Sequence, residues 1–157
     1  MNDIELYRAT VFDYNQIAEL WEASVRATHH FLSEEDILFF KDAVLRVYLP
    51  TAKQLFYIKN EADCIIAFLG IEDKNIDMLF IHPSERGKGY GKSLVSFAVH
   101  KYHIETVDVN EQNEQAVGFY KKLGFKVVSR DEFDSAGKPY PILHMRLPLR
   151  KWIQLWK

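Results

Sequence analysis

The sequence predicts an α+β fold built on a mixed, mostly antiparallel sheet of about seven strands. Three observations predict it. Apolar periodicity switches repeatedly between two residues and about 3.6 along the chain. Three strand-like runs follow one another between Gln54 and Ile81 with only short polar breaks, the pattern of an antiparallel meander. A helical period after Gly89 leads into the strand-like run Glu105-Thr106-Val107-Asp108-Val109, and a helical crossover between strands favours parallel pairing.

Each element has a local reason. Ile4-Glu5-Leu6-Tyr7-Arg8 alternates as a short strand, and Asp13 is placed to cap a helix whose Ile17, Leu20, Trp21, Ser24 and Val25 share a face. After the polar break Thr28-His29-His30, Ser33 is a cap for a second helix. Its Ile37, Phe40, Val44, Val47 and Tyr48 recur at helical spacing, and Pro50 is expected to end it. Residues 54–59, 64–71 and 76–81 read as strands, the first two joined at Asn60-Glu61-Ala62-Asp63 and the third stopped by His82-Pro83. Leu94, Val95, Ala98, Val99 and Tyr102 mark an amphipathic helix. Another helix runs from about Asn113 to Lys122 with Gly124 as its stop, and two last strands flank Ser135-Ala136-Gly137-Lys138. Trp152 and Trp156, four apart in the tail, read as a helical turn packing on its own domain.

The 157 residues predict a single domain, 1–157, with no repeat, low-complexity tract or linker. Twenty basic and 22 acidic residues leave a net charge of −2, which offers no global field for nucleic acid or an anionic membrane. The only cysteine, Cys64, has no partner for an intrachain disulfide. The start Met1-Asn2-Asp3-Ile4-Glu5 is unlike a signal peptide, and no stretch approaches the length of a membrane span. These features predict a cytoplasmic protein.

Arg86-Gly87-Lys88-Gly89-Tyr90-Gly91-Lys92-Ser93 follows a predicted strand and opens a predicted helix. Glycines let backbone N–H groups approach an anion, and the helix start adds unpaired N–H groups and the positive end of its dipole. Arg86, Lys88 and Lys92 add local positive charge, so the segment suits a diphosphate such as that of CoA. A Walker A loop needs a glycine where Arg86 stands. A dinucleotide fingerprint needs two residues between its second and third glycines, where Gly89-Tyr90-Gly91 has one. The plain alternative is a tight turn with solvated lysines.

These residues resemble the GNAT superfamily of N-acetyltransferases, whose acyl-CoA loop reads Arg/Gln-x-x-Gly-x-Gly/Ala and is matched by Arg86, Gly89 and Gly91. The stretch from Asn113 to Phe125 is similar to that family's Asn-x-x-Ala-x-x-Phe-Tyr-x-x-x-Gly-Phe segment through Asn113, Ala116, Phe119, Tyr120, Gly124 and Phe125. The order of elements follows the family over nearly the whole chain. Residues 109–116 and 137–141 resemble one bacterial subgroup, the YjaB-like acetyltransferases.

The resemblance implies an α/β three-layer fold with helices on both sheet faces and a splay between strands 4 and 5. It implies transfer of an acetyl group from acetyl-CoA to a primary amine, on a protein or a small molecule, by direct attack in a ternary complex. The partners are then a CoA thioester and an amine acceptor, with no metal, no nucleic acid and no membrane; the chain is a monomer or homodimer. Carried over residue by residue, Leu79, Phe80 and Ile81 pair with pantetheine, and residues Arg86, Gly87, Lys88, Gly89, Tyr90, Gly91, Lys92 and Ser93 cradle the diphosphate. Asn113 steadies the pantetheine arm, and Tyr120 protonates the leaving sulfur and completes the cofactor set. A phenol remains protonated at neutral pH and suits that role, although a core aromatic at a helix end is the plain reading of the same residue.

No glutamate occurs in residues 76–81, where several relatives carry a base. Asp77, His29, His30 and a water relay stay open for that role, and His29, His30 and Tyr140 are candidates for the acceptor pocket. The alternative to an active enzyme is an acyl-CoA-binding module that has lost catalysis; a nucleoside-triphosphate enzyme rests on Gly91-Lys92-Ser93 alone.

Overall fold

The structure, a computed structural model, describes residues 4–150. Trp152 and Trp156 lie outside them. Seven strands hydrogen-bond in the order β1-β2-β3-β4-β5-β7-β6: β1 (Tyr7–Arg8), β2 (Gln54–Lys59), β3 (Ile65–Glu72), β4 (Asn75–Ile81), β5 (Thr106–Asn110), β6 (Lys126–Asp131) and β7 (Ile142–Arg146). Four main helices accompany them: α1 (Tyr14–Thr28), α2 (Glu34–Ala43), α4 (Tyr90–Tyr102) and α5 (Glu114–Leu123), with the single turn α3 (Leu49–Thr51) after α2. The chain gathers into two compact units, residues up to 72 with 78–94, and residues 73–77 with those from 95 on.

In the first unit, β2 lies antiparallel between β1 and β3. β3 is buried from Ile66 through Ile71, as expected of a central strand covered on both faces. α1 lays Ile17, Leu20, Trp21 and Val25 into a core shared with Ile37, Val44, Leu55 and Phe68. All five residues read as the inner face of α1, Ser24 included, are buried. Polar side chains pin α2 to α1: Arg26 holds both carboxylate oxygens of Glu34 at 2.6 and 2.7 Å, and Lys41 reaches Glu19 and Glu22.

Three expectations for this unit are corrected. Asp13 does not cap α1 through its side chain; it reaches back to the Thr10 N–H at 2.8 Å, closing a 3-10 turn that leads into the helix. The first strand is confined to Tyr7–Arg8, the two residues that find register partners on β2, Tyr57 and Phe56. Pro50 does not end the second helix. Ser33 caps it as expected, but a π-helical stretch, Val44–Tyr48, precedes α3, which holds Pro50 in its first turn. Proline lacks an N–H and crowds the carbonyl four residues back, and a wider turn relieves both problems. The wider turn also shifts the helical phase, which leaves Val47 51% exposed rather than on the inner face.

In the second unit, the first two residues of β4 pair in parallel with β5, Asn75 with Thr106 and Ile76 with Val107. The parallel pair expected of the crossover is therefore present. β7 runs antiparallel to both β5 and β6. Asn113 Oδ1 accepts from the Ala116 N–H at 3.2 Å and caps α5, while Gly124, at φ 104, closes it in the left-handed conformation. Val95, Ala98, Val99, Ile104, Phe125 and Met145 are all buried here.

His144 on β7 clips three strands of this unit together. Its Nδ1 meets Asp108 Oδ1 at 2.5 Å and its Nε2 meets Asp131 Oδ2 at 2.6 Å. The bond to Asp131, opposed by partial burial and reinforced by Asp108, raises its pKa above the ordinary 6.5. A raised folded-state pKa means that the clip stabilises fully below the unfolded value and loses that contribution as pH climbs through the folded one. The urea midpoint should therefore fall between about pH 6 and about pH 9 by an amount that is missing in His144→Gln. Parallel slopes in the two proteins would exclude the clip as a titrating element.

Candidate active site

β4 ends at Ile81 and is followed by His82, whose Nδ1 accepts from the Ser84 N–H at 3.1 Å and caps the 3-10 turn Pro83–Glu85. The chain then passes through Gly87 at φ 75 and Gly89 at φ 89 before α4 opens at Tyr90. A Cβ built on either glycine would meet nothing within 4 Å. Backbone conformation, not crowding, thus demands glycine here, and the space beside the turn is open to a ligand. The first ladder bond runs from Ser93 N–H to Gly89 O at 3.1 Å, so the amides before it open the helix without an intrahelical acceptor. Aligned with the positive end of the helix dipole, amides of this kind suit an anion.

The cations of the turn are arranged differently from a cluster of three free charges. Lys88 pairs with Glu85 at 2.9 Å, and Lys92 is exposed on the first turn of α4. Arg86 turns inward: its Nη2 donates to the Ser24 carbonyl and to Ser24 Oγ, both at 3.3 Å. Burial lowers its pKa from the ordinary guanidinium value without approaching neutrality. Its side chain ties the start of the glycine turn to α1.

The same part of α1 carries His29 as its C-cap. Thr28 Oγ1 donates to the Ser24 carbonyl at 2.9 Å and lies 2.8 Å from His29 Nδ1. The His29 ring packs 5.2 Å from Phe31 and 6.4 Å from Phe80 on β4. Phe80 in turn stacks on Phe68 at 5.4 Å and meets Trp21 edge-on. Burial first, then the neighbouring Arg86 and His30 charges, lower the His29 pKa to about 4, so the ring is neutral across the physiological range. His30 itself is exposed. Leu79 and Ile81, flanking Phe80, are half-buried.

In the second unit, Tyr120 is 5% exposed, with its ring edge-on to Phe119 at 5.0 Å and to Phe125 at 5.5 Å. Burial raises its pKa well above the ordinary phenol value, so the hydroxyl keeps its proton at neutral pH. Asp77 is exposed and accepts from Asn75 Nδ2 at 2.5 Å, while the same amide reaches Asp108 Oδ2 at 3.1 Å. Tyr140 is half-buried in the connection before β7, its N–H bonded to the Lys138 carbonyl at 2.8 Å.

The structure therefore brings His29, Phe80 and Arg86 into one neighbourhood, and places Asp77 beside Asn75 and Asp108. The sequence reading missed Ser24 and Thr28 as parts of that neighbourhood. The available signal was a hydroxyl on the apolar face of α1, because a buried hydroxyl requires a partner. Among the described residues no group of three or more His, Cys, Asp or Glu side chains is arranged to hold a metal ion, and no helix is long and apolar enough to cross a membrane.

Residues 13–149 match the family described as acetyltransferase (GNAT) domain. The chain is 44% identical over 142 residues to the peptidyl-lysine N-acetyltransferase YjaB of Escherichia coli, covering 90% of this chain and 95% of that protein. The solution structure of apo-form YjaB from Escherichia coli superposes with a TM-score of 0.83 at 43% identity, over 92% of this chain and 97% of that one. The PaiA N-acetyltransferase of Thermoplasma acidophilum, solved in complex with coenzyme A, shares the fold at TM-score 0.65 and 22% identity, over 92% and 99% of the two chains.

The glycine turn yields a direct test. Gly89→Ala should destabilise the protein by about 1–2 kcal/mol, because an L-residue is strained at positive φ even where there is room for the methyl. Gly118→Ala, inside α5 and also in open space, should instead stabilise by roughly 0.5–1 kcal/mol. Urea unfolding of the two variants beside the wild type measures both signs.

Proposed function

The chain belongs to the GNAT acetyltransferase family, and we propose from that premise that it moves the acetyl group of acetyl-CoA to the side-chain amine of a lysine in a protein. The observation that carries the cofactor assignment is the open turn of Gly87 and Gly89 in front of α4, a seat for a diphosphate made of backbone N–H groups. A protein lysine as acceptor is supported by the similarity to the peptidyl-lysine N-acetyltransferase YjaB of Escherichia coli. Cytoplasmic residence is part of the proposal and agrees with Cys64, which is free and exposed.

When bound, acetyl-CoA supplies an acyl group activated as a thioester. The chain's own residues then have four tasks. The amides of the turn and the first turn of α4 hold the diphosphate. The main chain of Leu79, Phe80 and Ile81 aligns the pantetheine arm, and an N–H near Ile81 donates to the acyl oxygen as negative charge develops there. Asn113 uses its carbonyl as a helix cap, which leaves its Nδ2 donor for the same arm. Tyr120, still protonated, gives its hydroxyl proton to sulfur. Asp77 is the less suitable proton acceptor, since its carboxylate is engaged by Asn75.

A steady-state assay with acetyl-CoA and a lysine-containing peptide tests the reading. Wild-type protein should form the acetyl-lysine peptide, and Tyr120→Phe should lower kcat by about 10²-fold or more while acetyl-CoA affinity stays nearly constant. Unchanged turnover in Tyr120→Phe would remove the tyrosine from the mechanism. Binding of acetyl-CoA with no transfer to any lysine or small amine would leave a binding module in place of an enzyme.

A further inference from the structure

We propose that His29 is a catalytic residue of the acetyl transfer: its Nε2 accepts a hydrogen bond from the attacking amine and then takes its proton, with Thr28 and Ser24 as the positioning residues that fix the ring for that task. The inference rests on the acetyltransferase reading above and adds the acceptor-side group which that reading lacks.

The Thr28 hydroxyl has one hydrogen and two close neighbours, the Ser24 carbonyl at 2.9 Å and His29 Nδ1 at 2.8 Å. A carbonyl oxygen can only accept. If the hydroxyl proton pointed at His29, the Thr28 and Ser24 oxygens would face each other with no proton between them, a repulsive contact. Directed at Ser24, the proton leaves a hydroxyl lone pair for His29, and Nδ1 must then donate. All contacts are satisfied only in the Nδ1–H tautomer, which leaves the Nε2 lone pair unprotonated.

One further feature keeps the ring in that state. Arg86 donates to the same Ser24 carbonyl and places its positive charge near the imidazole, so protonation of Nε2 before an amine arrives is disfavoured. The ring also has aromatic neighbours in Phe31 at 5.2 Å and Phe80 at 6.4 Å. Phe80 belongs to the segment assigned to the pantetheine arm, so the His29 ring neighbours the strand on which the thioester is to be held. The lone pair of the neutral amine forms the N–C bond, the C–S pair leaves with sulfur, one amine proton passes to Nε2 and sulfur receives the Tyr120 proton; the imidazolium proton then returns through solvent to the phenolate, which restores both groups. A nitrogen that is becoming acidic as it acylates needs only a weak base at hand.

Two measurements test this. Ring ¹⁵N NMR of the histidine-labelled wild type should give a pyrrole-type Nδ1 and a pyridine-type Nε2 for His29 at neutral pH, and the reverse pattern would overturn the proposal. In the lysine-peptide assay, His29→Phe should lower kcat/KM by about 10²-fold with acetyl-CoA affinity, read by calorimetry, within about twofold of wild type. His29→Gln, which restores an acceptor near Nε2 but not a base, should recover KM and not kcat. Thr28→Val should lose about tenfold in kcat/KM and Thr28→Ser should restore it. A folded His29→Phe that acetylates at the wild-type rate would overturn the role of His29 while leaving the acetyltransferase reading intact. A wild type that binds acetyl-CoA and acetylates nothing would overturn both.

Discussion

The hydrogen bonds from the Arg86 guanidinium to the carbonyl and hydroxyl of Ser24 are the contact on which the first unit's chemistry depends. Hydrogen bonds to a charged group contribute roughly 1.5–3 kcal/mol when well formed, and at 3.3 Å these belong at the lower end. Their location matters more than their strength. Ser24 lies near the C-terminal end of α1, where helix carbonyls carry partial negative charge that suits a cation. The arginine therefore anchors the entrance of the glycine turn, occupies a buried serine that would otherwise need another partner, and biases His29 toward its neutral form. With Arg86 so engaged, the proposed anion recognition falls to the backbone amides, and Lys92 is exposed on the first turn of α4.

The second unit works through burial. Tyr120 lies on α5 between its Asn113 cap and its Gly124 stop, and its ring is fixed edge-on by Phe119 and Phe125. The surroundings that make it resemble an ordinary core aromatic also hold its proton, because a phenolate is poorly solvated there. Core packing and the proposed acid role thus draw on one environment. Asn113 joins structure and proposed function in a similar way, capping the helix with its oxygen and keeping its amide available.

Much of this was legible in the sequence because the decisive signals are local. The strand Gln54–Lys59 was read to the residue, and Ser33 and Gly124 were recognised as cap and stop because their chemistry acts within a few positions, whereas Asn113 was read as the start of its helix and not as the cap it proves to be. The glycine turn was legible because positive φ is written into residue type. The sequence could not disclose the π-helical stretch that turns Val47 outward, since that depends on how a proline is accommodated one turn later. Nor could it disclose that Arg86 points inward, because its partner lies 62 residues away, or that Lys88 is paired with Glu85. The Ser24–Thr28–His29 chain offered one hint, a serine standing in an apolar stripe, while the threonine at a helix end gives none until its hydrogen bonds are followed.

The claim at the centre of this account is that the turn from Arg86 to Ser93 holds the diphosphate of acetyl-CoA and that Arg86 shapes it from behind. Calorimetric titration of wild type and Arg86→Ala with acetyl-CoA, with ATP as competitor, tests it most directly. A dissociation constant on the order of micromolar is expected for wild type, with weakening of about tenfold in the variant and no displacement by ATP. Absence of acetyl-CoA binding, or ATP binding that outcompetes it, would contradict the claim.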